Sequence, residues 1–279
     1  MKKITLFVFS FILLILNLNA QEAGIKWEKN FEKAQKAARE SGKPLLLDFT
    51  AEWCKPCKMM DQEFWVRDDV IQAAKPFIAV KLNYDDERNL ASKYGATAIP
   101  YVVFADPLGN MVTFRRGFGS KNAREITQIF DEMPKDFSVL IPFYAAIEKK
   151  KNDGLALLQI ADSYRAAKMT RLSCDFYKRA LKTSEIQNDA EKKERVMAII
   201  GVNYYSIRDY VNAENPLEDY VKIFPQGKNR ETILFALIMT NIKQQKLKDA
   251  NNYLEVLKKD FPASEKITAL SREIENAKK

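Results

Sequence analysis

A short apolar run followed closely by two cysteines constrains the fold of this chain most. Leu45 to Phe49 is interrupted only by Asp48, and an apolar run of this length is typical of a strand buried on both faces. Cys54-Lys55-Pro56-Cys57 follows and opens a helix, in which proline suits the first turn. The pattern therefore predicts a buried strand that leads into a helix with both cysteines at its start.

Apolar periodicity divides the rest of the first half into alternating helices and strands. Trp27 to Ser41 is predicted as an amphipathic helix, and Asp68 or Asp69 as the cap of a later one. The alternation indicates an α/β sheet with helices on both faces. The other predicted elements are strands over 77–82, 101–105 and 111–114, and helices ending at 74, 94 and 133.

The N-terminus has the parts of a bacterial-type signal peptide. Lys2 and Lys3 precede an apolar stretch from Ile4 to Leu16, and Ala20 ends a polar region suited to cleavage. We expect residues 1–20 to be removed and the protein to be periplasmic or secreted; an uncleaved membrane anchor is the alternative. Basic and acidic residues are interleaved within a formal charge of +8, which argues against a nucleic-acid partner.

From about Pro134 the strand pattern gives way to long amphipathic helices. We therefore expect two domains after the signal peptide, 21–135 and 136–279, the second an all-α repeat of the tetratricopeptide type. Unrelated helical hairpins of similar composition are the alternative, and Pro216 fits only in the first turn of a helix. The repeat is carried by residues that recur 37 positions later: Ala213 as Ala250, Leu217 as Leu254 and Pro225 as Pro262.

Three cysteines and no histidine narrow the chemistry. Without histidine the chain cannot use Ser–His or Cys–His catalysis, and most zinc sites are excluded. At a helix N-terminus, Cys54 should be an exposed nucleophile of lowered pKa, helped by the charge of Lys55, and Cys57 should resolve the mixed disulfide. Such exchange needs no metal or organic cofactor. A structural disulfide or chance spacing is the alternative, and Cys174 is expected to be a small buried residue rather than a third redox thiol.

Asp48 is the one charged residue in the apolar strand. Leu46, on the same strand face, is apolar, so we expect the Asp48 carboxyl to be buried, with a raised pKa. In that position it could take and return the proton of Cys57. A solvent-facing Asp48 is the alternative.

Several segments together resemble the thioredoxin family over about residues 25–133. The segment 47–58 resembles its active-site segment, 81–85 its next central strand, and 98–100 the approach to its cis-proline; Gly109 and Gly117 resemble two glycines near its site. Thr50 and Lys55 depart from the usual family residues, and the surroundings look more like exported relatives such as the outer domain of DsbD-type reductases.

The resemblance implies roles for further residues. It implies a thioredoxin fold, a cis Pro100 facing the sulfurs, and a substrate groove bordered by Trp53, Ile99 and Gly117. It also implies that Lys81 lies near Asp48 and tunes its ionisation, although a plain surface lysine is the alternative; Lys55 and Pro56 would tune the redox couple.

The function expected from sequence is that of an exported thiol–disulfide oxidoreductase. It would reduce or isomerise disulfides in exported proteins and draw electrons from a membrane-borne donor. In the alternative, the helical repeats bind a peptide or partner protein and the redox domain serves as a tether.

Overall fold

Five strands form one mixed sheet in the computed structural model, which describes residues 24–278. The predicted signal peptide, residues 1–20, lies outside the described residues. The strand order is β1-β3-β2-β4-β5; β1, β2 and β3 run parallel, whereas β4 is antiparallel to β2 and to β5. The strands are β1 Trp27–Glu28, β2 Leu45–Thr50, β3 Ile78–Asn83, β4 Tyr101–Ala105 and β5 Met111–Arg116.

Helices cover both faces of this sheet, which confirms the α/β fold expected from the sequence. Leu45 and Leu47 point to a core completed by the first and fourth helices. Leu46 points to the opposite face, where the second, third and fifth helices pack. The helices are α1 Phe31–Ser41, α2 Lys55–Glu63, α3 Asp68–Ala74, α4 Arg88–Lys93 and α5 Ser120–Glu132.

The predicted helical start at Trp27 is wrong. Trp27 lies in the edge strand β1, where it pairs with Ala79, and α1 begins only at Phe31. The start is fixed by Asn30, whose side chain accepts a hydrogen bond from the Lys33 N–H at 2.7 Å. An Asn in this position satisfies a backbone donor that the helix leaves unpaired.

Two further local predictions need correction. Arg67 is the N-cap of α3, and Asp68 and Asp69 occupy its first turn, where their charges suit the positive end of the helix dipole. Pro216 lies in the interior of a helix, Tyr210–Ile223, rather than in its first turn. The free energy gained by packing that helix on its neighbours therefore exceeds the cost of the backbone hydrogen bond that proline cannot make.

The second half of the described chain is helical, as expected. None of the helices in the described part of the chain combines the length and the apolar character needed to cross a membrane. A 3-10 turn, Ser138–Leu140, leads into nine helices: α6 Ile141–Lys149, α7 Gly154–Ala166, α8 Thr170–Leu181, α9 Ser184–Gln187, α10 Ala190–Ser206, α11 Tyr210–Ile223, α12 Arg230–Lys243, α13 Leu247–Asp260 and α14 Lys266–Ala277.

Three helical hairpins, α7–α8, α10–α11 and α12–α13, share one turn geometry. Each turn contains a single non-glycine residue in the left-handed region, Lys168, Arg208 or Gln245, with φ near 60°. Ala213 and Ala250, 37 residues apart, are both fully buried in the second helix of their hairpins. The chain thus repeats a hairpin, and its assignment to the tetratricopeptide type stays a prediction.

The helical region is attached at one end of the sheet. Gly42, just before β2, accepts a hydrogen bond from the Phe137 N–H at 2.7 Å. Asp106, just after β4, accepts one from the Tyr164 hydroxyl at 2.6 Å. Because β2 and β4 are antiparallel, these contacts lie at one end of both strands, and Cys54 lies beyond the other end of β2. One cluster of buried hydrophobic residues includes side chains from both sides of position 135/136. The domain boundary at that position stays a prediction.

Candidate functional site

Cys54 and Cys57 form a disulfide at the start of α2. Cys54 is the N-cap residue in extended conformation, and its Sγ accepts a hydrogen bond from the Cys57 N–H at 3.2 Å. A sulfur in this position faces the unpaired amides and the positive end of the helix dipole. In the reduced state, a thiolate on Cys54 would lie in this same positive environment.

The expectation that Cys54 is exposed is wrong for the disulfide state. Cys54 is 3% and Cys57 2% exposed, because Ala51 and Ile99 pack against the pair. The two sulfurs thus differ in their position on the helix rather than in their accessibility. Lys55, the first residue of α2, is exposed. Pro56 is exposed and lies in the first turn.

A cis peptide bond between Ile99 and Pro100 lies at the same end of the sheet as the disulfide. The Pro100 carbonyl accepts a hydrogen bond from the Gly117 N–H at 2.8 Å, and Gly117 has a φ of 80°, which suits glycine. This hydrogen bond brings Pro100 and Gly117 together, and Ile99, next to Pro100, packs against the cysteines. Gly109, by contrast, lies in the turn at the far end of the β4–β5 hairpin, where its carbonyl accepts a hydrogen bond from the Tyr94 hydroxyl. Its expected place near the site is therefore wrong.

Trp53, immediately before the disulfide, is 66% exposed. Its indole N–H donates a hydrogen bond to Asp85 Oδ2 at 2.6 Å, and Asp85 also pairs with Arg88. The aromatic face is thereby held on the surface next to Cys54. An exposed indole with its polar atom already bonded is suited to contact with another polypeptide.

Asp48 is 2% exposed in the centre of β2, opposite Lys81 of β3. Burial raises the pKa of its carboxyl to about 6, and the negative charge of Asp61 acts in the same direction. The ammonium group of Lys81 and a hydrogen bond from Trp65 oppose this shift. Asp48 can therefore exchange a proton near neutral pH.

Lys81 links the buried carboxyl to the surface. Its side chain is 25% exposed, and its Nζ lies 3.8 Å from Asp48 Oδ2 and also forms an ion pair with Asp61. The Nζ stands 4.8 Å from the ring centroid of Trp27, a cation–π arrangement. This is the location expected for Lys81 from the family resemblance.

Two neighbours of Asp48 were not identified from the sequence. The Trp65 indole N–H donates to Asp48 Oδ2 at 3.1 Å, and Asp61 lies one helical turn after Cys57. A signal was present for each: a buried tryptophan generally needs an acceptor for its N–H, and positions four apart on a helix share a face.

Cys174 is fully buried in α8, away from the disulfide. Burial raises the pKa of its thiol to about 11, so the group is uncharged at neutral pH. Across residues 24–278, no group of three or more histidine, cysteine or acidic side chains is placed to hold a metal ion.

Comparisons with known proteins agree with this geometry. A model of the thioredoxin-like family matches residues 26–107. A thioredoxin of Mycoplasmoides gallisepticum is 35% identical over 82 residues, which cover 29% of this chain and 78% of the relative. A probable protein disulfide-isomerase A6 of Medicago sativa is 25% identical over 51% of this chain and 45% of the relative. The thiol:disulfide interchange protein DsbD of Campylobacter jejuni is 30% identical over 32% of this chain and 15% of the relative.

The chain spans less than half the length of these last two relatives. The match to thioredoxin, in contrast, covers most of that protein. The family model covers the segment of this chain that holds β2, the disulfide and the cis-proline. Three observations support the same family: the order of the strands in the sheet, the cysteine pair at a helix N-terminus and these matches. The chain therefore belongs to the thioredoxin-like family.

Proposed function

We propose that this chain is an exported thiol–disulfide oxidoreductase that reduces or isomerises disulfides in exported proteins. The observation that carries the proposal is the Cys54–Cys57 disulfide at the N-terminus of α2, beside the cis Ile99–Pro100 bond. The similarity to a thioredoxin, a protein disulfide-isomerase and a thiol:disulfide interchange protein supports it.

The proposed reaction starts from the reduced pair. The Cys54 thiolate attacks a target disulfide, forms a bond to one target sulfur and releases the other as a thiolate. Cys57 then gives its proton to Asp48 and attacks Cys54 Sγ. The bond between Cys54 and the target breaks, and the target sulfur that was bonded to Cys54 leaves as a thiolate. Two electrons have then passed to the target, and the Cys54–Cys57 disulfide is formed.

The substrate groove in this proposal lies around the cis-proline. The exposed Trp53 ring would form one wall, with Ile99 and Gly117 beside Pro100 on the other side. The backbone at Ile99 would pair with the target segment as an added strand. Lys55, Pro56 and Lys81 would tune the couple, the first two from the helix start and Lys81 through Asp48.

Turnover as a reductase requires a donor of electrons. The similarity to DsbD supports a membrane-borne dithiol as that donor. It also supports a periplasmic location, as does the composition of residues 1–20. In an oxidising compartment, the Cys54–Cys57 pair would stay in the disulfide state without such a donor.

The second candidate function assigns the main role to residues 136–279. Repeated helical hairpins form extended surfaces that bind peptides. The attachment of this region at the end of the sheet opposite Cys54 favours a surface that acts apart from the disulfide. In that case the redox domain, residues 21–135, would serve as a tether.

Reduction of insulin by dithiothreitol separates the two functions. We expect the wild-type chain to accelerate it, Cys54→Ser to abolish the acceleration, and the matched control Cys174→Ser to retain it. Full acceleration by Cys54→Ser would contradict the proposed enzyme. Partner capture by Cys54→Ser at wild-type affinity, with no acceleration by the wild-type chain, would support the binding function instead.

A further inference from the structure

Trp65 occupies a buried position directly beside the proposed proton acceptor. Its side chain is 4% exposed, and its ring is held by edge-on contacts with Trp27 and Phe64 at centroid distances of 5.2 and 4.9 Å. From there the indole N–H donates a hydrogen bond to Asp48 Oδ2 at 3.1 Å. An indole nitrogen can donate a hydrogen bond but cannot accept one, so Oδ2 must be the acceptor in this contact.

The two oxygens of Asp48 consequently lie in different environments. Oδ2 faces two donors: the Trp65 N–H and, at 3.8 Å, the Lys81 ammonium group. An ammonium group, like an indole N–H, can donate a hydrogen bond but cannot accept one. Oδ1 is buried and has no hydrogen-bond partner within residues 24–278. A proton on Oδ2 would face both donors, whereas a proton on Oδ1 would leave the Trp65 hydrogen bond intact.

We infer that Trp65 is a positioning residue: it holds Oδ2, so that Oδ1 is the oxygen that takes and returns the proton of Cys57. The inference rests on the proposed role of Asp48 in the exchange reaction. It assigns the proton to one atom and gives the unpartnered oxygen a chemical use.

The location of Cys57 agrees with this assignment. Cys57 and Met60 form the buried side of α2, and Met60 packs with Leu46 in one cluster. Leu46 and Asp48 point to the same face of β2, because residues two apart on a strand share a face. The carboxyl and the Cys57 thiol therefore lie on the same side of the sheet.

The resolving step conserves charge and protons. The Cys57 S–H bond breaks as an O–H bond forms at Oδ1. The Cys57 sulfur bonds to Cys54 Sγ, the S–S bond between Cys54 and the target breaks, and the target sulfur leaves as a thiolate with the electron pair of that bond. The proton on Oδ1 then passes to that thiolate or to water. Lys81 and Asp61 are the charged groups that act on Asp48 during this cycle.

Infrared spectroscopy of the oxidised protein with ¹³C-labelled aspartate tests the inference. With both sulfurs in the disulfide, the protonated Asp48 carboxyl is identified by its absence in Asp48→Asn. In Trp65→Phe we expect its C=O stretch to move to higher frequency, because the carbonyl oxygen Oδ2 loses its donor. Its titration midpoint should rise from about 6 by about one pH unit, since the charged form loses a hydrogen bond. An unchanged stretch and midpoint would overturn the inference.

Two further variants make the result specific. Trp27→Phe is the matched control, because this ring contacts Trp65 and Lys81 and its replacement leaves the Trp65 N–H in place. We expect it to leave the C=O stretch unchanged. If Trp65→Phe does not fold, 3-benzothienylalanine at position 65 retains the bicyclic ring without the N–H and should give the same shifts.

The failure of the proposed function has a different signature. If Asp48→Asn resolves mixed disulfides at the wild-type rate from pH 5 to 9, Asp48 carries no proton in the reaction, and the proposed mechanism fails at that step. If Asp48→Asn slows resolution but Trp65→Phe leaves both the stretch and the midpoint unchanged, the mechanism stands and the role of Trp65 is refuted.

Discussion

Replacing Asp48 by asparagine should change the free energy of unfolding in a pH-dependent way. The difference between the variant and the wild type should favour the variant more at alkaline pH than at acidic pH. The carboxyl has a pKa of about 6 in the folded protein, against 3.8 for an ordinary aspartate, chiefly because burial disfavours its charged form. A group of raised pKa binds its proton more tightly in the folded state. Its favourable contribution is therefore present below about pH 4 and is lost as the pH rises through 6.

The magnitude follows from the size of the shift. Roughly two pH units at 1.36 kcal/mol per unit amount to about 3 kcal/mol, most of which falls between pH 4 and pH 8. Asp48 is almost completely buried, so solvent screening does not reduce this figure much. Asparagine has nearly the same shape and does not titrate, so the variant should lack this loss.

Urea denaturation of the oxidised protein at pH 4 and pH 8 measures the effect. We expect the free energy of unfolding of Asp48→Asn, minus that of the wild type, to be about 2.5 kcal/mol larger at pH 8 than at pH 4. Any constant cost of the asparagine side chain cancels in this comparison. Asp131→Asn, which removes an exposed carboxylate on α5, is the matched control for the loss of one charge. A difference that is the same at both pH values would refute the reasoning.

Three further predictions concern the helical region and its attachment. Tyr164→Phe removes the hydroxyl that donates to the buried Asp106 and should lower the free energy of unfolding by about 1–3 kcal/mol; unchanged urea denaturation would contradict this. Gly42→Ala should lower the melting temperature, because the alanine Cβ would lie 2.5 Å from the Ser138 nitrogen and φ at this position is 71°; an unchanged melting temperature would disprove this. Cys174 should resist iodoacetamide at pH 8 until the protein unfolds, because its thiol is buried with a pKa of about 11; alkylation of the folded protein would refute that burial.

The sequence predicted the elements that have strong local patterns. The apolar run of β2 and the cysteine spacing located the strand, the helix start and the disulfide that the structure contains. The burial of Asp48 followed from the apolar residues around it. The periodicity predicts a helix from Trp27, because a strand of two residues is too short to show alternation. In the structure the N-cap of α1 is Asn30.

The contacts that complete the site depend on the folded chain. Trp65 lies just after α2 and 17 residues from Asp48, and the local sequence pattern does not indicate which acceptor its N–H finds. Cys54 was expected to be exposed, because the sequence does not reveal that Ile99, from a distant loop, packs on the sulfurs. The bond between Asp106 and Tyr164 joins residues 58 positions apart. Such contacts are set by tertiary packing.

The central claim is that Cys54 and Cys57 exchange electrons with protein disulfides, and the reduction potential of this pair tests it most directly. Equilibration of the protein with dithiothreitol or glutathione redox buffers, followed by alkylation and mass measurement, gives the fraction in each state. The account predicts a reversible two-electron transition near the ~−270 mV of a thioredoxin. A bond that no thiol buffer opens, or sulfurs that stay unreactive after reduction, would contradict it.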